Sequence, residues 1–361
     1  MEGYFADAPI VLSLEKSFGT AAQPLRFTSW SGESKAKIAY PSWNGAYIYL
    51  HGKTPLGLGI QIDHLIFKGN GHPRSNSIAT AGIFIDFQPN SAASVDTLII
   101  DDVEISGYMY GITTFRGAPA GFIRSVNITN SSIHDILEDI TSSGRATFSY
   151  INRSGSGIFL SGVQNALIEG VSALNNGGNS LQSPVGIGIR DSDLVLIRNC
   201  SCISNFATSP GGGGFELSSG TTNSVIEDSF SSSNGGSGFS VMSQPDVTLN
   251  GGGACSNNTV QNSVSTSDGS SSLYSLAVVA ASGATASDIL FQNMNISITA
   301  NDPPFLQFGD SSSLGFKGLY LSGTYNNVDT INVDFVFLST EKVNCNLSCS
   351  SQAPSLCTCA N

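Results

Sequence analysis

A five-residue phrase that opens on glycine returns along this chain and restricts the fold more than any other feature. It reads Gly-Ile-Phe-Ile-Asp from Gly82, Gly-Ile-Thr-Thr-Phe from Gly111 and Gly-Ile-Phe-Leu-Ser from Gly157. It comes back as Gly-Ile-Gly-Ile-Arg from Gly186, Gly-Phe-Glu-Leu-Ser from Gly214 and Gly-Phe-Ser-Val-Met from Gly238. By subtraction, successive starts are 29, 46, 29, 28 and 24 residues apart. A repeat of roughly 20–50 residues marks stacked units, each too small to bury its own apolar face. Such a chain folds as a solenoid, and the outward positions of each unit can be assigned in advance.

A second phrase follows the first. It is Ile100-Asp101-Asp102-Val103, Ile123-Arg124-Ser125-Val126, Ile168-Glu169-Gly170-Val171 and Ile197-Arg198-Asn199-Cys200. It continues as Ile226-Glu227-Asp228-Ser229, Val260-Gln261-Asn262-Ser263 and Phe291-Gln292-Asn293-Met294. The third position is small or turn-forming, the kind of residue that tolerates a left-handed backbone and bonds its own main chain at bends. Stacked, these residues predict a polar ladder along one corner. Around that corner apolar residues alternate, as in Val103 and Ile105 or Met294 and Ile296; strands with one buried face require this.

Charged residues make up 12% of the chain, against a usual share of about 25%. The net charge is −12 with only 15 Lys and Arg, so the surface repels nucleic acid and anionic membranes. The same charge makes a strongly anionic polysaccharide a less natural ligand, unless a local basic cleft receives it. No apolar run reaches the roughly 18 residues of a membrane span, so no membrane insertion is expected. Residues Gly3 to Leu14 lack a basic stretch and contain Asp7, unlike a signal peptide; a leader removed beforehand remains open.

Of seven Cys, four crowd the end: Cys345, Cys349, Cys357 and Cys359. Without a nearby His or paired C-x-x-C spacing they read as disulfides of an oxidising compartment rather than a metal site. Cys200 and Cys202 fall on inward positions, as core residues or as a local disulfide partner for Cys255. N-x-[ST] sequons at Asn127, Asn130, Asn152, Asn199, Asn257, Asn295 and Asn346 fit a secreted glycoprotein, although a chain rich in Asn, Ser and Thr also produces them by chance. Asn199 stands in the ladder, where a glycan is hard to place. The organisation expected is an N-terminal cap and first coil over 1–60, a parallel β-helix over 61–343 and a Cys-rich tail over 344–361. An inserted loop is expected from His134 to Ser156, and a second near Gln244 to Ser256.

The paired phrases resemble the right-handed parallel β-helix superfamily, the pectate-lyase-like proteins. The stretches from Pro184 to Asn199 and from Gly213 to Asp228 carry the likeness most plainly. The resemblance implies an all-β, three-sheet solenoid and, often, secreted action on polysaccharides as a lyase, hydrolase or epimerase. Related coils often carry D-G-x-G-F-D-x-D; here Gly211 and Ser218 stand where Asp would, and Glu216 alone is kept. No subfamily signature assigns the reaction, and fold does not settle function.

In each phrase the residues two and four places after the glycine point outward. The second place gives Phe84, Thr113, Phe159, Gly188, Glu216 and Ser240; the fourth gives Asp86, Phe115, Ser161, Arg190, Ser218 and Met242. With strands about 4.8 Å apart, Arg190 and Glu216 become diagonal neighbours, as a groove for sugars or as a structural ion pair. Phe159 and Phe115 read as platforms for sugar rings. The inserted loop carries His134, Asp135, Glu138 and Arg145, with Arg153 just beyond; these are either acids, bases and ligand contacts over the groove or solvated surface. Asp191 and Asp193 sit at a turn; calcium is possible there, but turn chemistry is the plainer account and no cofactor is predicted. His51, His64 and His72 lack metal spacing and read as structural. The leading expectation is a glycoside hydrolase, with Glu216 the first carboxyl and Asp86, Asp191, Asp135 or Glu138 the second. A lyase would lean on Arg190 or Arg153. The alternative is a non-catalytic glycan-binding or adhesion module, favoured by the missing Asp residues.

Overall fold

Alternating apolar residues and frequent bends put the chain into short strands that can only bury their inner faces against one another. The computed structural model describes residues 4–5, 10–14, 20, 22–29, 35–39, 46–50, 58–69, 80–87, 94–116, 122–137, 154–178, 184–207, 212–243, 253–268, 276–280, 286–297, 306–308 and 317–324. Among them every regular element is a strand. One coil shows the plan, with Ile158–Ser161 on a first face, Ala166–Glu169 on a second and Ser172–Leu174 on a third. The next coil repeats it in parallel, pairing Ile158 with Ile187, Ile168 with Ile197 and Ala173 with Cys202. The first face is a 10-stranded sheet, and the other two run together as a 20-stranded one. This is the three-faced all-β solenoid expected. The strands Ile10–Leu14, Leu25–Thr28 and Ala36–Ala39 already pair in parallel with later coils, so the stack begins inside the 1–60 segment. The 344–361 tail lies outside the described residues.

The core is a column of stacked like residues. On the first face Ile83, Ile112, Ile158, Ile187, Phe215, Phe239 and Leu276 lie in one register line, and all are buried. The rings of Phe215 and Phe239 stack with centroids 5.0 Å apart and planes 4° apart. Cys200, Cys202 and Cys255 belong to this core as free thiols, which overturns the local disulfide and leaves the packing role.

The predicted corner ladder exists, with His64 added at its start and Asn130 in place of Ser125. His64, Asp102, Asn130, Asn199, Asp228, Asn262 and Asn293 all have φ between 48° and 54°, and Gly170 has 64°. Ser125 is not among them. In that coil the bend falls five residues later, because Phe122–Ile123 pairs with the start of the long strand Ser94–Asp101, and Val126–Thr129 with its end. Asn130 then closes the line, bonding its amide to Asp101 Oδ1 at 3.0 Å. Asn199 is exposed at its bend, so the ladder does not bury that side chain.

Candidate functional site

Register confirms which residues share the outer line of the first face. Phe84, Thr113, Phe159, Gly188, Glu216 and Ser240 follow one another from strand to strand. Beside them run Ser161, Arg190, Ser218 and Met242. Glu216 is opposite Gly188 and Arg190 opposite Ser218, so Glu216 and Arg190 are diagonal neighbours on adjacent strands.

The line is not the exposed strip that alternation suggested. Glu216 and Thr113 are 0% exposed, Phe159 5% and Phe84 6%. Ser161, Ser218, Ser240 and Met242 are buried as well, and Arg190 is half-buried. The other two faces behave differently: Val126–Thr129, Ala166–Glu169 and Val195–Arg198 alternate buried and half-buried, whereas Gly213–Ser218 and Ser237–Ser243 are buried on both sides. Small and apolar residues at outward positions were the available signal of a sheltered face. Phe159 is likewise no open platform. A Cβ on Gly188 would come within 2.8 Å of its ring, so the ring lies across Gly188 and packs onto the next rung, beside Glu216.

The other candidates fall in separate places. Asp86 lies on the strand Ala81–Phe87, four strand steps from Glu216 through Thr113, Phe159 and Gly188. At about 4.8 Å a step this is about 19 Å, too far for the carboxyl pair of a glycosidase, which needs about 5–9.5 Å. Asp86 is therefore excluded as the partner of Glu216. Phe115 pairs with Asp86 by register; the side chains of both lie outside the described residues. Asp191 directly follows Arg190, on the strand adjoining that of Glu216. It bends left-handed at φ 48° and is half-buried. It lines a polar depression of about 260 Å³ with Gly162, Gln164, Asp193, Gly220 and Thr222. Asp193 Oδ1 accepts from Thr222 Oγ1 at 2.6 Å and Asn223 Nδ2 at 2.7 Å, which is the turn chemistry expected of this pair. No group of three or more metal-ligating side chains occurs among the described residues.

His134 and Asp135 are not on the inserted loop. His134 ends the third-face strand Ser132–His134, which pairs with Glu104–Ser106 and Ser172–Leu174. Asp135 is the bend after it, at φ 52°. The coil continues regularly here, so the insertion begins later than its residue count implied. His134 Nδ1 lies 2.8 Å from Asp135 and Nε2 3.4 Å from Glu104, an imidazole flanked by two carboxylates on a face other than that of Glu216. Glu138, Arg145 and Arg153 lie outside the described residues, as do His51 and His72. His64 pairs with Asp102 at 2.7 Å. Lys35 and then His64 hold the Asp102 carboxyl below the usual carboxylate range, a structural role.

One feature escaped the sequence reading. Asn176, Asn205, Asn234 and Asp268 follow the third-face bends and line the interior, each at most 1% exposed. Asn205 N donates to Asn234 Oδ1 at 2.8 Å, and Asn234 N to Asp268 Oδ1 at 2.9 Å. Their spacing of 29, 29 and 34 residues by subtraction was the available signal.

Residues 59–252 match the family described as the right handed beta helix region. No curated protein matches the chain. Among solved structures, an alginate lyase from Paenibacillus sp. str. FPU-7 is 16% identical with a TM-score of 0.42, covering 78% of this chain and 84% of that one. A mannuronan C-5 epimerase A-module of Azotobacter vinelandii is 12% identical with a TM-score of 0.35, covering 91% and 89%. An endo-xylogalacturonan hydrolase from Aspergillus tubingensis is 12% identical with a TM-score of 0.33, covering 82% and 91%.

Proposed function

We propose, from the premise that this chain belongs to the right-handed β-helix family, that it is an extracellular carbohydrate-active enzyme working along the first face of its solenoid. The observation that carries the reading is the sheltered line itself. Glu216 is kept from water with the Arg190 guanidinium diagonal to it, and Asp191 follows at a polar depression. Outward positions of a solenoid normally meet water; here one face withholds a carboxylate and aromatic groups from it. In a water-poor setting, charges act on a bound ligand with far less screening.

Hydrolysis fits better than elimination. Glu216 lies on the strand Gly213–Ser218 and Asp191 is the bend residue right after the adjacent strand Val185–Arg190, two carboxyls of which one would protonate a glycosidic oxygen while the other serves as base or nucleophile. A lyase has to neutralise a uronate, and Arg190 is the one cation among the second- and fourth-place positions named above, in a chain of net charge −12. The second reading is a non-catalytic glycan-binding module; Gly211 and Ser218, standing where related coils carry Asp, favour it.

The test is a screen of neutral and uronic polysaccharides, read by new reducing ends and by the absorbance of unsaturated products. Glu216→Gln is nearly isosteric and should keep the melting profile while lowering turnover by about 10²-fold or more, the loss expected for a general acid or base. Arg190→Ala should weaken ligand binding. Unchanged turnover in Glu216→Gln would move the chemistry to Asp191, His134 or Glu138. Glycan binding without any product would establish the module instead.

A further inference from the structure

The interior ladder follows a rule until its last described rung. Asn176 Nδ2 donates to Ile133 O at 3.2 Å, Asn205 Nδ2 to Ala173 O at 3.0 Å and Asn234 Nδ2 to Cys202 O at 2.9 Å. In each case the amide reaches the third-face strand of the coil before, and those acceptors stand in one register line that continues to Ser231 and Ser265. At the same time each side-chain oxygen takes a backbone N–H from the preceding rung. An asparagine thus both donates and accepts. Asp268 holds the next place, and an ionised carboxylate can only accept. The rule aims its missing donor at the Ser231 strand.

The surroundings are built for a group that is neutral or strongly hydrogen-bonded. Asp268 is 0% exposed. It accepts from Asn234 N at 2.9 Å, Asn234 Nδ2 at 2.8 Å and Ser265 Oγ at 2.6 Å. Gly238 is the second residue of the adjoining first-face strand Ser237–Ser243, and a Cβ there would collide with Asp268 Oδ2 and Ser265 Oγ. The neighbouring titratable group is Cys202, itself buried and held neutral by desolvation; Ser231, Asn234, Gly238 and Ser265 carry no charge.

We propose that Asp268 is an acid-stabilised rung: its neutral carboxyl completes the interior ladder as an asparagine would, and its ionisation weakens the stack at that coil. Burial pushes the Asp268 carboxyl up to about 6, against hydrogen bonds from Ser265, Asn234 and Ser231 that pull it down. An unfolded Asp titrates near about 3.9. The folded value is the higher one, so the rung's contribution is full below about pH 4 and is lost as pH rises through about 6.

The experiment compares the full chain with Asp268→Asn by urea unfolding from pH 4 to pH 8, so that all other carboxylates cancel in the difference. The variant should gain on the wild type between pH 4 and pH 6 and keep a constant lead above it, on the order of a hundredfold in the folding constant for about two pKa units. A difference that does not change with pH overturns the proposal. Infrared difference spectra give an independent readout: a buried protonated-carboxyl band should be present at pH 5, vanish by pH 8 and be missing in Asp268→Asn. If that variant does not fold, Ser265→Ala removes a bond that favours the ionised form and should move the band's midpoint to higher pH; an unmoved midpoint overturns the proposal equally.

Discussion

At the scale of single residues, burial decides what a reactive group can do. Cys200 donates to Arg198 O at 3.2 Å and to Ile168 O at 3.4 Å, and burial pushes its thiol up to about 11. Cys202 and Cys255 are shifted upward for the same reason. The thiolate is the reactive species, so none of the three should react with a thiol reagent in the native protein. The chain holds seven Cys, and four of them lie in the tail that the sequence assigns to disulfides. Thiol titration should therefore give close to none in the native state, three after unfolding without reductant, and seven after reduction. Seven without reductant would remove the tail disulfides; a fast-reacting thiol in the native state would contradict the buried core.

At the scale of elements, the bends carry most of the specification, and one of them is poorly filled. Between the first and second faces, Asn223, Asn257 and Asp288 turn left-handed at φ 49°, 54° and 53°. Leu194 makes the same turn at φ 55° and is 55% exposed. Its backbone N–H still bonds Thr222 O at 3.3 Å, as that of Asn223 bonds Ser256 O at 3.1 Å. A left-handed conformation costs a residue such as leucine about 1–2 kcal/mol, less for Asn, and little apolar burial offsets it here. Leu194→Asn should stabilise the protein by about 1 kcal/mol, read as a raised urea midpoint at unchanged slope. A lower midpoint would mean that Leu194 is held by contacts worth more than the bend's strain. Bends of this kind were legible because Asn, Asp and Gly announce them; Leu194 announces none, and Ser125 announced one that the longer coil places at Asn130. The glycine phrase was visible, but its cause was not. A Cβ on Gly186 would meet Cys202 Sγ at 2.6 Å and Asn205 Nδ2 at 2.8 Å, so the glycine makes room for a ladder that only the third dimension brings beside it.

At the scale of the whole molecule, each coil touches only its neighbours, so one period repeated fixes the architecture while leaving its surroundings open. That is why the registers of Glu216 and Arg190 could be assigned from spacing, whereas the count of three faces came with the family resemblance. The sheltering of the first face was written only in the small and apolar residues at its outward positions, because alternation alone does not say what lies over a sheet. The candidate site was legible as a line of positions, and its exclusion of water only through the composition of that line. Separation along the stack follows from the same period: counting four strand steps from Asp86 to Glu216 was enough to part them. A solenoid of this kind also makes a plain bulk prediction. Every regular element among the described residues is a strand, and globular proteins average about one third helix. Far-ultraviolet circular dichroism of the full chain should show a β-dominated spectrum with helix far below that average. The β signal should be lost on heating together with the near-ultraviolet signal of stacked aromatic residues such as Phe215 and Phe239, since both depend on the same inter-coil contacts. A helix content near one third would refute the solenoid. Loss of the aromatic signal well before the strand signal would show that the coils stay paired after their core has loosened.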